Sequence, residues 1–248
     1  MNYTISDDKL TYRETFEVFA SDTDSNFTLT PAALLRYCQH CVLNHSMELG
    51  MSLEKFTNAG VSFMIGRVSF EWDRVPQAGE MITMQTRSEG MNHGFFKRIY
   101  EVFDANGNRL GIADGRNMLV TTATRKILRT LPEGFEDIPC TPHIEEEVSI
   151  HVPRVDNTEL VREVTATYSL CDFNGHMNNT SYAHIICDAL PVELIVKSPV
   201  KRMTINYRRE INREGTVDVR RAQLEDGSWY VVGMHDGVKH FDSVVELF

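Results

Sequence analysis

Hydrophobic positions near the start of the chain pass from strand-like to helical spacing. An apolar-rich run at residues 12–19 suits a strand, and the polar stretch 21–26 follows it. Apolar residues then recur every three to four positions between Thr30 and Gly50, which predicts an amphipathic helix. Thr30 can cap this helix, Pro31 suits its first turn and Gly50 can end it. The predicted apolar face consists of Leu34, Leu35, Cys38, Val42, His45 and Leu49.

The remaining pattern is mostly strand-like and falls into two similar halves. A second polar stretch, 171–176, is again preceded by a strand-like run and followed by a helical segment, 179–190. Between the halves, residues 131–159 hold four of the eight prolines and the acidic run Glu145-Glu146-Glu147, and we interpret them as a connector. The predicted strands are 62–74, 81–89, 95–103 and 109–122 in the first half, and 160–170, 200–211, 216–224, 228–235 and 238–247 in the second.

This organisation predicts an α+β fold made of two repeats, each a long helix wrapped by an antiparallel sheet. The predicted domains are residues 1–130 and 160–248, joined by the linker 131–159. Two copies in one chain would form an intrachain pseudo-dimer, and association into a homodimer is left open.

Charge and composition exclude several classes of protein. The net charge of −10 argues against a general nucleic-acid binder, which needs a broad basic surface. No apolar run approaches the ~20 residues that cross a bilayer, so no membrane partner is expected. Residues 1–8 show neither a basic start nor an apolar stretch, which predicts no signal peptide and a cytoplasmic location.

Cys38, His40, Cys41 and His45 fall together within the predicted helix. Structural zinc usually takes its ligands from a turn and a second element, so we interpret these residues as buried thiols and ordinary helix histidines. We therefore predict no metal. Sequence motifs for nucleotide, nicotinamide or zinc-protease chemistry are absent from the chain, and no cofactor is expected.

Titratable residues distinguish the two halves. Aligning the polar stretches sets Asp172-x-Asn174-x-His176 opposite Asp24-x-Asn26-x-Thr28. The histidine of the second motif thus faces a threonine in the first, and Glu210 likewise falls opposite Val75. A duplicated fold with one active site would show this asymmetry. Loop and capping chemistry, with one exposed strand charge, is the alternative explanation.

The motif Asp172-Phe173-Asn174-Gly175-His176-Met177-Asn178-Asn179, followed by Tyr207-Arg208-Arg209-Glu210, resembles the active-site signature of the acyl-acyl carrier protein (acyl-ACP) thioesterases of plants and bacteria. Residues 16–19, 43–45 and 67–76 also fit this family. The resemblance implies a double hotdog fold and hydrolysis of fatty acyl-ACP to free fatty acid and ACP, which terminates chain growth in fatty acid biosynthesis. It implies catalytic roles for Asp172, Asn174, His176 and Glu210.

The residue after the glutamate departs from the plant pattern. The plant enzymes have cysteine there, whereas this chain has Ile211, so attack by water or by a carboxylate is favoured over a thiol. In our hypothesis Glu210 and His176 activate a water, Asn174 holds His176 or that water, and backbone N–H groups at Asn179 receive the carbonyl oxygen. Asp172 would orient the loop or take part in the chemistry.

The first half, without the histidine and glutamate, would serve the acyl chain. The apolar face of the first helix, with Met64, Phe70 and Trp72, would line a tunnel or would simply be core.

ACP is acidic, so docking onto this acidic chain requires a local basic surface. Residues 197–221 carry eight basic residues against three acidic ones. Ion pairs within the sheet are an equally good explanation of this excess. An acyl-CoA thioesterase and a non-catalytic acyl-ligand or acyl-ACP binding protein remain alternative functions. The predicted docking residues are Lys197, Lys201, Arg202, Arg208, Arg209 and Arg213.

Overall fold

The computed structural model describes residues 3–136, 138–142 and 148–248, and the acidic run 145–147 lies outside them. Each half places one long helix against an antiparallel sheet, which confirms the predicted α+β class. Among the described residues no helix is long and apolar enough to span a membrane. The helices are α1 (Pro31–Glu48), α2 (Leu53–Asn58), α3 (Asn179–Asp188) and α4 (Val192–Ile195).

The described residues contain twelve strands joined in one sheet. The strands are β1 (Tyr3–Ile5), β2 (Thr11–Glu17), β3 (Val61–Trp72), β4 (Met81–Asn92), β5 (Phe95–Phe103), β6 (Arg109–Thr121), β7 (Ile127–Leu128), β8 (Glu159–Thr165), β9 (Val200–Tyr207), β10 (Thr216–Gln223), β11 (Trp229–His235) and β12 (Val238–Leu247). Their order is β1-β2-β4-β5-β6-β3-β9-β12-β11-β10-β8, with β7 paired to β6.

The two halves meet at one antiparallel strand pair. Strand β3 of the first half pairs with β9 of the second, from Arg67 opposite Asn206 to Glu71 opposite Arg202. On one face of this sheet α1 and α3 pack against each other and share a single hydrophobic core. The pseudo-dimer is therefore built around a common sheet and a common core.

Helix α1 follows its sequence signals closely. The Thr30 hydroxyl oxygen accepts the N–H of Ala33 at 3.3 Å, Pro31 begins the helix, and Gly50 takes φ +71° just after its end. The predicted apolar face is largely buried, and it includes the polar residue His45.

His45 is fully buried yet has both ring nitrogens bonded. Arg98 donates to Nδ1 at 3.0 Å, so Nε2 carries the proton and donates to the Lys9 carbonyl at 3.0 Å. Burial, with the nearby Arg98 charge, lowers the pKa of His45 to about 4. His45 is thus a neutral core histidine. Within the described ranges no group of histidine, cysteine and carboxylate side chains is arranged to hold a metal ion.

Two predicted strands, β8 and β9, end well before their predicted last residues. Residues 208–211 were predicted to continue β9, but that strand stops at Tyr207 because the N–H groups of Arg208 and Arg209 both donate to the His240 carbonyl, at 2.8 and 3.0 Å. Strand β8 stops at Thr165, and a 3-10 turn, Tyr168–Leu170, follows it. The short elements α2, α4, β1 and β7 were not predicted.

The described part of the connector packs onto the sheet. Phe135 is buried among aromatic side chains of the first half, and Val148 packs on Ile99. The Ser149 carbonyl accepts the hydroxyls of Ser69 on β3 and Thr204 on β9, at 2.7 and 3.1 Å. The connector therefore ties the two halves together across the β3–β9 pair. The domain boundaries themselves stay a prediction.

Candidate active site

The polar loops of the two halves have the same construction. In each half a 3-10 turn leads into a loop closed by one antiparallel bridge, Thr23 to Leu29 in the first and Cys171 to Met177 in the second. A further bridge links Thr28 to Gln77 and, correspondingly, His176 to Asn212. These matched bridges support the alignment that sets His176 opposite Thr28 and Glu210 opposite Val75.

Asp172 shapes the loop that carries the histidine. Its carboxylate accepts the Asn174 N–H at 2.8 Å, its own N–H donates to the His176 carbonyl at 2.9 Å, and its carbonyl accepts the Gly175 N–H at 3.0 Å. Gly175 takes φ +77°, a conformation that glycine adopts without strain. Of the two roles considered for Asp172, these bonds favour orientation of the loop.

His176 and Glu210 come together across the second half. His176 Nδ1 lies 3.5 Å from Glu210 Oε1, and their side chains are 22% and 38% exposed, so solvent and a substrate can reach both. The distance is long for a hydrogen bond, but such pairs often tighten when substrate binds. A proton on Nδ1 would face the carboxylate and leave Nε2 free to accept a proton from water. The Glu210 main chain is held by His240, whose Nδ1 lies 3.2 Å from the Glu210 carbonyl oxygen.

Asn174 was expected to hold either His176 or the attacking water, and the described residues show no bond from it to His176. Its side chain is exposed, and the described residues offer it no hydrogen-bond partner. The equivalent Asn26 donates its amide to the Val196 carbonyl of the other half at 2.7 Å. Asn174 therefore lies at the site as an available amide and is not part of its fixed framework.

The N-terminal end of α3 adjoins this loop. The Asn178 side-chain oxygen caps the helix by accepting the Thr180 N–H at 2.9 Å, and the Ser181 N–H donates to the Asn178 carbonyl at 2.9 Å. Of the first three helical N–H groups, only that of Asn179 has no acceptor within the described residues. The predicted oxyanion donors thus reduce to the Asn179 N–H together with the helix dipole.

Asn179 itself is fixed from two directions. Its side-chain oxygen accepts the amide of Gln39 on α1, and its carbonyl accepts the Tyr207 hydroxyl at 3.0 Å. The contact with Gln39 brings a residue of the first half to the edge of the candidate site.

Arg125 also reaches the candidate site from the first half, where it contacts the Glu210 carboxylate. Arg125, in the turn between β6 and β7, places Nη1 3.3 Å from Glu210 Oε1, the same oxygen that faces His176. Sequence reasoning missed Arg125 because nothing in its local pattern indicates a contact with a residue so distant in the chain.

Neither Ile211 nor the buried thiols of Cys38, Cys41 and Cys187 offer a cysteine nucleophile. Ile211, at the position after Glu210, is buried, and its carbonyl accepts the Met177 N–H at 2.8 Å. Burial raises the pKa of Cys41 and of Cys187 to about 12, and it raises the pKa of Cys38 well above the ordinary thiol value. These three thiols are therefore protonated and unreactive at neutral pH.

A half-open cavity of about 480 Å³ lies in the first half near the candidate site. Met118, one of its wall residues, pairs in register with Met64, and the Met64 sulfur lies 3.2 Å from Arg125 Nη1. Phe70 and Trp72, for which both a tunnel wall and the core were expected alternatives, are buried in the core and do not line this cavity. The cavity is lined by His93, Gly94, Phe95, Met118, Ile127 and Arg129.

Half of the predicted docking residues have ion-pair partners within the sheet. Lys201 and Arg202 pair with Glu246 at 3.1 and 2.9 Å, and Arg208 pairs with Asp242 at 3.2 Å. The ion-pair explanation therefore accounts for these three residues. For the other three, Lys197, Arg209 and Arg213, the described part of the chain shows no ion pair.

Curated relatives of this chain are plant enzymes of low sequence identity. It is 23% identical to oleoyl-acyl carrier protein thioesterase 2, chloroplastic, of Arabidopsis thaliana, over 86% of this chain and 63% of the relative. It is 22% identical to the chloroplastic palmitoyl-acyl carrier protein thioesterase of Cuphea hookeriana, over 92% of this chain and 58% of the relative. The chain thus spans less than two thirds of the length of these relatives.

Solved structures match over almost the full chain. The acyl-ACP thioesterase from Bacteroides thetaiotaomicron superposes with a TM-score of 0.88 at 22% identity, covering 98% of this chain and all of that one (100%). The 12:0-ACP thioesterase from Umbellularia californica superposes with a TM-score of 0.86 at 17% identity, covering 96% and 97%. These matches confirm the predicted double hotdog fold.

Family models cover both halves of the chain separately. The acyl-ACP thioesterase N-terminal domain matches residues 9–138, and the acyl-ACP thioesterase C-terminal domain matches residues 154–240. The bridges at the two loops, the single His176–Glu210 pair and these matches lead to one assignment. This chain belongs to the acyl-ACP thioesterase family.

Proposed function

We propose that this protein hydrolyses fatty acyl-ACP thioesters to free fatty acid and ACP, and so terminates chain growth in fatty acid biosynthesis. The observation that carries the proposal is the solvent-accessible His176–Glu210 pair, with 3.5 Å between the nearest atoms. The pair lies in the half that matches the family's C-terminal domain, and the other half has Thr28 and Val75 at the equivalent places.

The chemistry follows from the arrangement of these two side chains. Glu210 stabilises the proton on His176 Nδ1, and Nε2 takes a proton from water as the oxygen attacks the thioester carbonyl. The charge that develops on the carbonyl oxygen faces the Asn179 N–H at the positive end of α3. The carbon–sulfur bond then breaks, and the imidazolium returns its proton to the departing thiolate. The products are a fatty acid and the thiol of the carrier.

Direct attack by the Glu210 carboxylate is the competing chemistry, because Glu210 is exposed enough to meet a substrate. It would form an acyl-enzyme anhydride and release the thiol before water acts. A single turnover in H₂¹⁸O with enzyme in excess identifies attack by Glu210 when water then enters at the enzyme carboxyl carbon. Water attack puts ¹⁸O into the fatty acid in that first turnover. Attack by Glu210, followed by water entering at the enzyme carboxyl carbon, yields unlabelled fatty acid and labelled protein.

The acyl chain, in our proposal, extends toward the cavity of the first half. The cavity volume of about 480 Å³ falls within the usual range for small-molecule sites, and Phe95, Met118 and Ile127 give it apolar walls. We expect Met118→Trp to shift activity toward shorter chains, because the larger ring would fill the cavity. Trp at Met81, an exposed position outside this cavity, serves as the control.

ACP docking, in our proposal, relies on Arg209 and Arg213. Arg209 precedes Glu210, and the Arg213 N–H donates to the Gly175 carbonyl at 3.0 Å, so both lie beside the catalytic loop. We expect Arg213→Glu to raise KM for acyl-ACP several-fold through repulsion of the acidic carrier. Hydrolysis of a neutral acyl-N-acetylcysteamine thioester should be unchanged, because that substrate has no acidic carrier.

The decisive experiment compares acyl-ACP and acyl-CoA panels of increasing chain length, with release of free thiol as the signal and Glu210→Ala as the control. Hydrolysis of acyl-ACP that disappears in Glu210→Ala supports the proposal. Preference for CoA esters would transfer the activity to the acyl-CoA class while keeping the site. Tight acyl binding by folded wild-type protein without turnover would leave a binding protein. Homodimer formation and a cytoplasmic location stay predictions.

A further inference from the structure

The turn that carries Arg125 is held by its own hydrogen bonds. The Thr121 N–H donates to the Lys126 carbonyl at 3.0 Å, and the Arg125 N–H donates back to the Thr121 carbonyl at 2.9 Å. The hydroxyls of Thr121 and Thr124 lie 2.7 Å apart. Within this turn Arg125 takes φ +55°, in the left-handed region that a long side chain seldom adopts. The surrounding bonds hold Arg125 in a conformation that its own backbone disfavours.

From this fixed turn the Arg125 side chain crosses to the other half. Its Nη1 lies 3.2 Å from the Met64 sulfur on β3 and 3.3 Å from Glu210 Oε1. The side chains of Arg125 and Glu210 are 50% and 38% exposed. Ion pairs as exposed as this one add little to stability, so stability alone gives a weak reason for this reach.

Glu210 has few other restraints on its carboxylate. It follows the early end of β9, and among the described residues it has a backbone bond from His240 and side-chain contacts to His176 and Arg125. A half-exposed glutamate samples several rotamers, and only some of them bring its carboxylate to His176. A guanidinium fixed at 3.3 Å favours the rotamer in which Oε1 faces the histidine.

We propose that Arg125 is a positioning residue, supplied by the first half, that holds the Glu210 carboxylate toward His176 and thereby completes the active site. This inference rests on the proposed function. Under it, the first half takes part in the chemistry of the second, in addition to serving the acyl chain.

The test compares two neighbouring cations of the same turn. Arg125→Gln removes the guanidinium, and glutamine at this position must adopt the same positive φ as arginine. Lys126→Gln removes an exposed charge from the next residue. We expect Arg125→Gln to lower kcat roughly 10- to 100-fold, with KM changed by less than about twofold, because a misplaced catalytic group slows the reaction step. Arg125→Lys should retain part of the rate, and millimolar guanidinium should restore part of the activity of Arg125→Ala. Lys126→Gln should behave as wild type.

A second readout is independent of turnover. The ring-nitrogen NMR signals of His176, assigned with His176→Ala, should shift in Arg125→Gln and stay in place in Lys126→Gln. If the wild-type protein hydrolyses no thioester but the His176 signals still shift in Arg125→Gln, the proposed function is rejected. The positional role of Arg125 is then kept. Unchanged kcat and unchanged His176 signals in Arg125→Gln would overturn the inference. So would equal losses in Arg125→Gln and Lys126→Gln, which would indicate a general charge effect.

Discussion

The loops at residues 24–28 and 172–176 share a backbone design but direct their side chains differently. In the first loop the Asp24 carboxylate accepts three hydrogen bonds, from the Asn26 N–H at 2.9 Å, the Thr28 N–H at 3.0 Å and the Thr28 hydroxyl at 2.8 Å. In the second loop His176 replaces the threonine and extends to Glu210. The first loop uses its threonine side chain internally, whereas the second loop presents its histidine side chain to a distant carboxylate.

Solvent access also distinguishes the two halves, at the position that Glu210 occupies in the second half and Val75 in the first. Val75, the counterpart of Glu210, is 6% exposed, whereas the Glu210 side chain is 38% exposed. A carboxylate is tolerated only where water or a partner can stabilise it. The comparison teaches that the fold offers two equivalent positions, and that local burial allows a charged catalytic group at only one of them.

The largest expected effect comes from breaking the functional loop alone. We expect His176→Ala to lower kcat for acyl-ACP by roughly 10²- to 10⁴-fold, because the general base is lost. The matched variant Thr28→Ala should keep kcat within about twofold, since among the described residues that hydroxyl bonds Asp24 and no group of the catalytic pair. Steady-state kinetics with thermal melts of both proteins measure this. Near-normal turnover in folded His176→Ala would place the base elsewhere.

An exchange at the second position tests burial. We expect Val75→Glu to destabilise the protein by about 4 kcal/mol at pH 7, because a buried carboxyl must stay neutral or be ionised without a partner. The reciprocal Glu210→Val should change the free energy of unfolding by less than about 1 kcal/mol, because its site is partly exposed. Urea unfolding measures both. Equal costs at the two positions would contradict the burial difference.

Acid sensitivity should originate in the first half, where His45 is buried. Its pKa is 6.5 as a free side chain and about 4 in the fold, so the unfolded chain binds the proton first as pH falls. The stability is complete above pH 6.5 and decreases toward pH 4 by about 3 kcal/mol. His45→Gln can keep a donor to Lys9 and an acceptor for Arg98, and it should flatten this dependence between pH 6.5 and 4. Urea midpoints across that range decide, and an equally steep decline in His45→Gln would count against His45.

The smallest expected effect separates the two aspartates. We expect Asp24→Ala to cost about 1–2 kcal/mol of stability, because three bonds to its carboxylate are lost, two of them from backbone N–H groups. Asp172→Ala should cost less stability, because one such bond is described, but it should reduce kcat by loosening the loop that carries His176. Melting temperatures and kcat, measured together, should rank the two variants in opposite orders.

Sequence patterns predicted the elements whose ends are set by neighbouring residues. Helix α1 begins and ends where Thr30, Pro31 and Gly50 indicate, and β5 and β12 have the predicted bounds. The early end of β9 was missed because it depends on the His240 carbonyl of a different strand. Single-sequence patterns carry no information on such cross-strand acceptors.

The residues of the candidate site can likewise be separated into those that the sequence predicted and those whose contacts depend on packing of the two halves. His176 and Glu210 were predicted from their joint occurrence in one repeat, and the structure brings them together. Arg125 and Gln39 were missed because their contacts with Glu210 and Asn179 arise only when the two halves pack. Asn174 was expected to hold His176 or the attacking water, and because its exposed side chain has no bond to His176 among the described residues, contact with water is the role that stays a prediction.

In the β3–β9 pair, the edge strand of each half's sheet is covered by a strand of the other half. Separated halves would each expose a strand with unpaired backbone groups and an uncovered apolar core face, a combination that promotes aggregation. A chain cleaved within the connector should therefore stay together as a two-fragment complex, whereas halves produced apart should be insoluble until mixed. The same edges would allow two chains to exchange halves, each first half pairing with the second half of its neighbour, without any new surface being required.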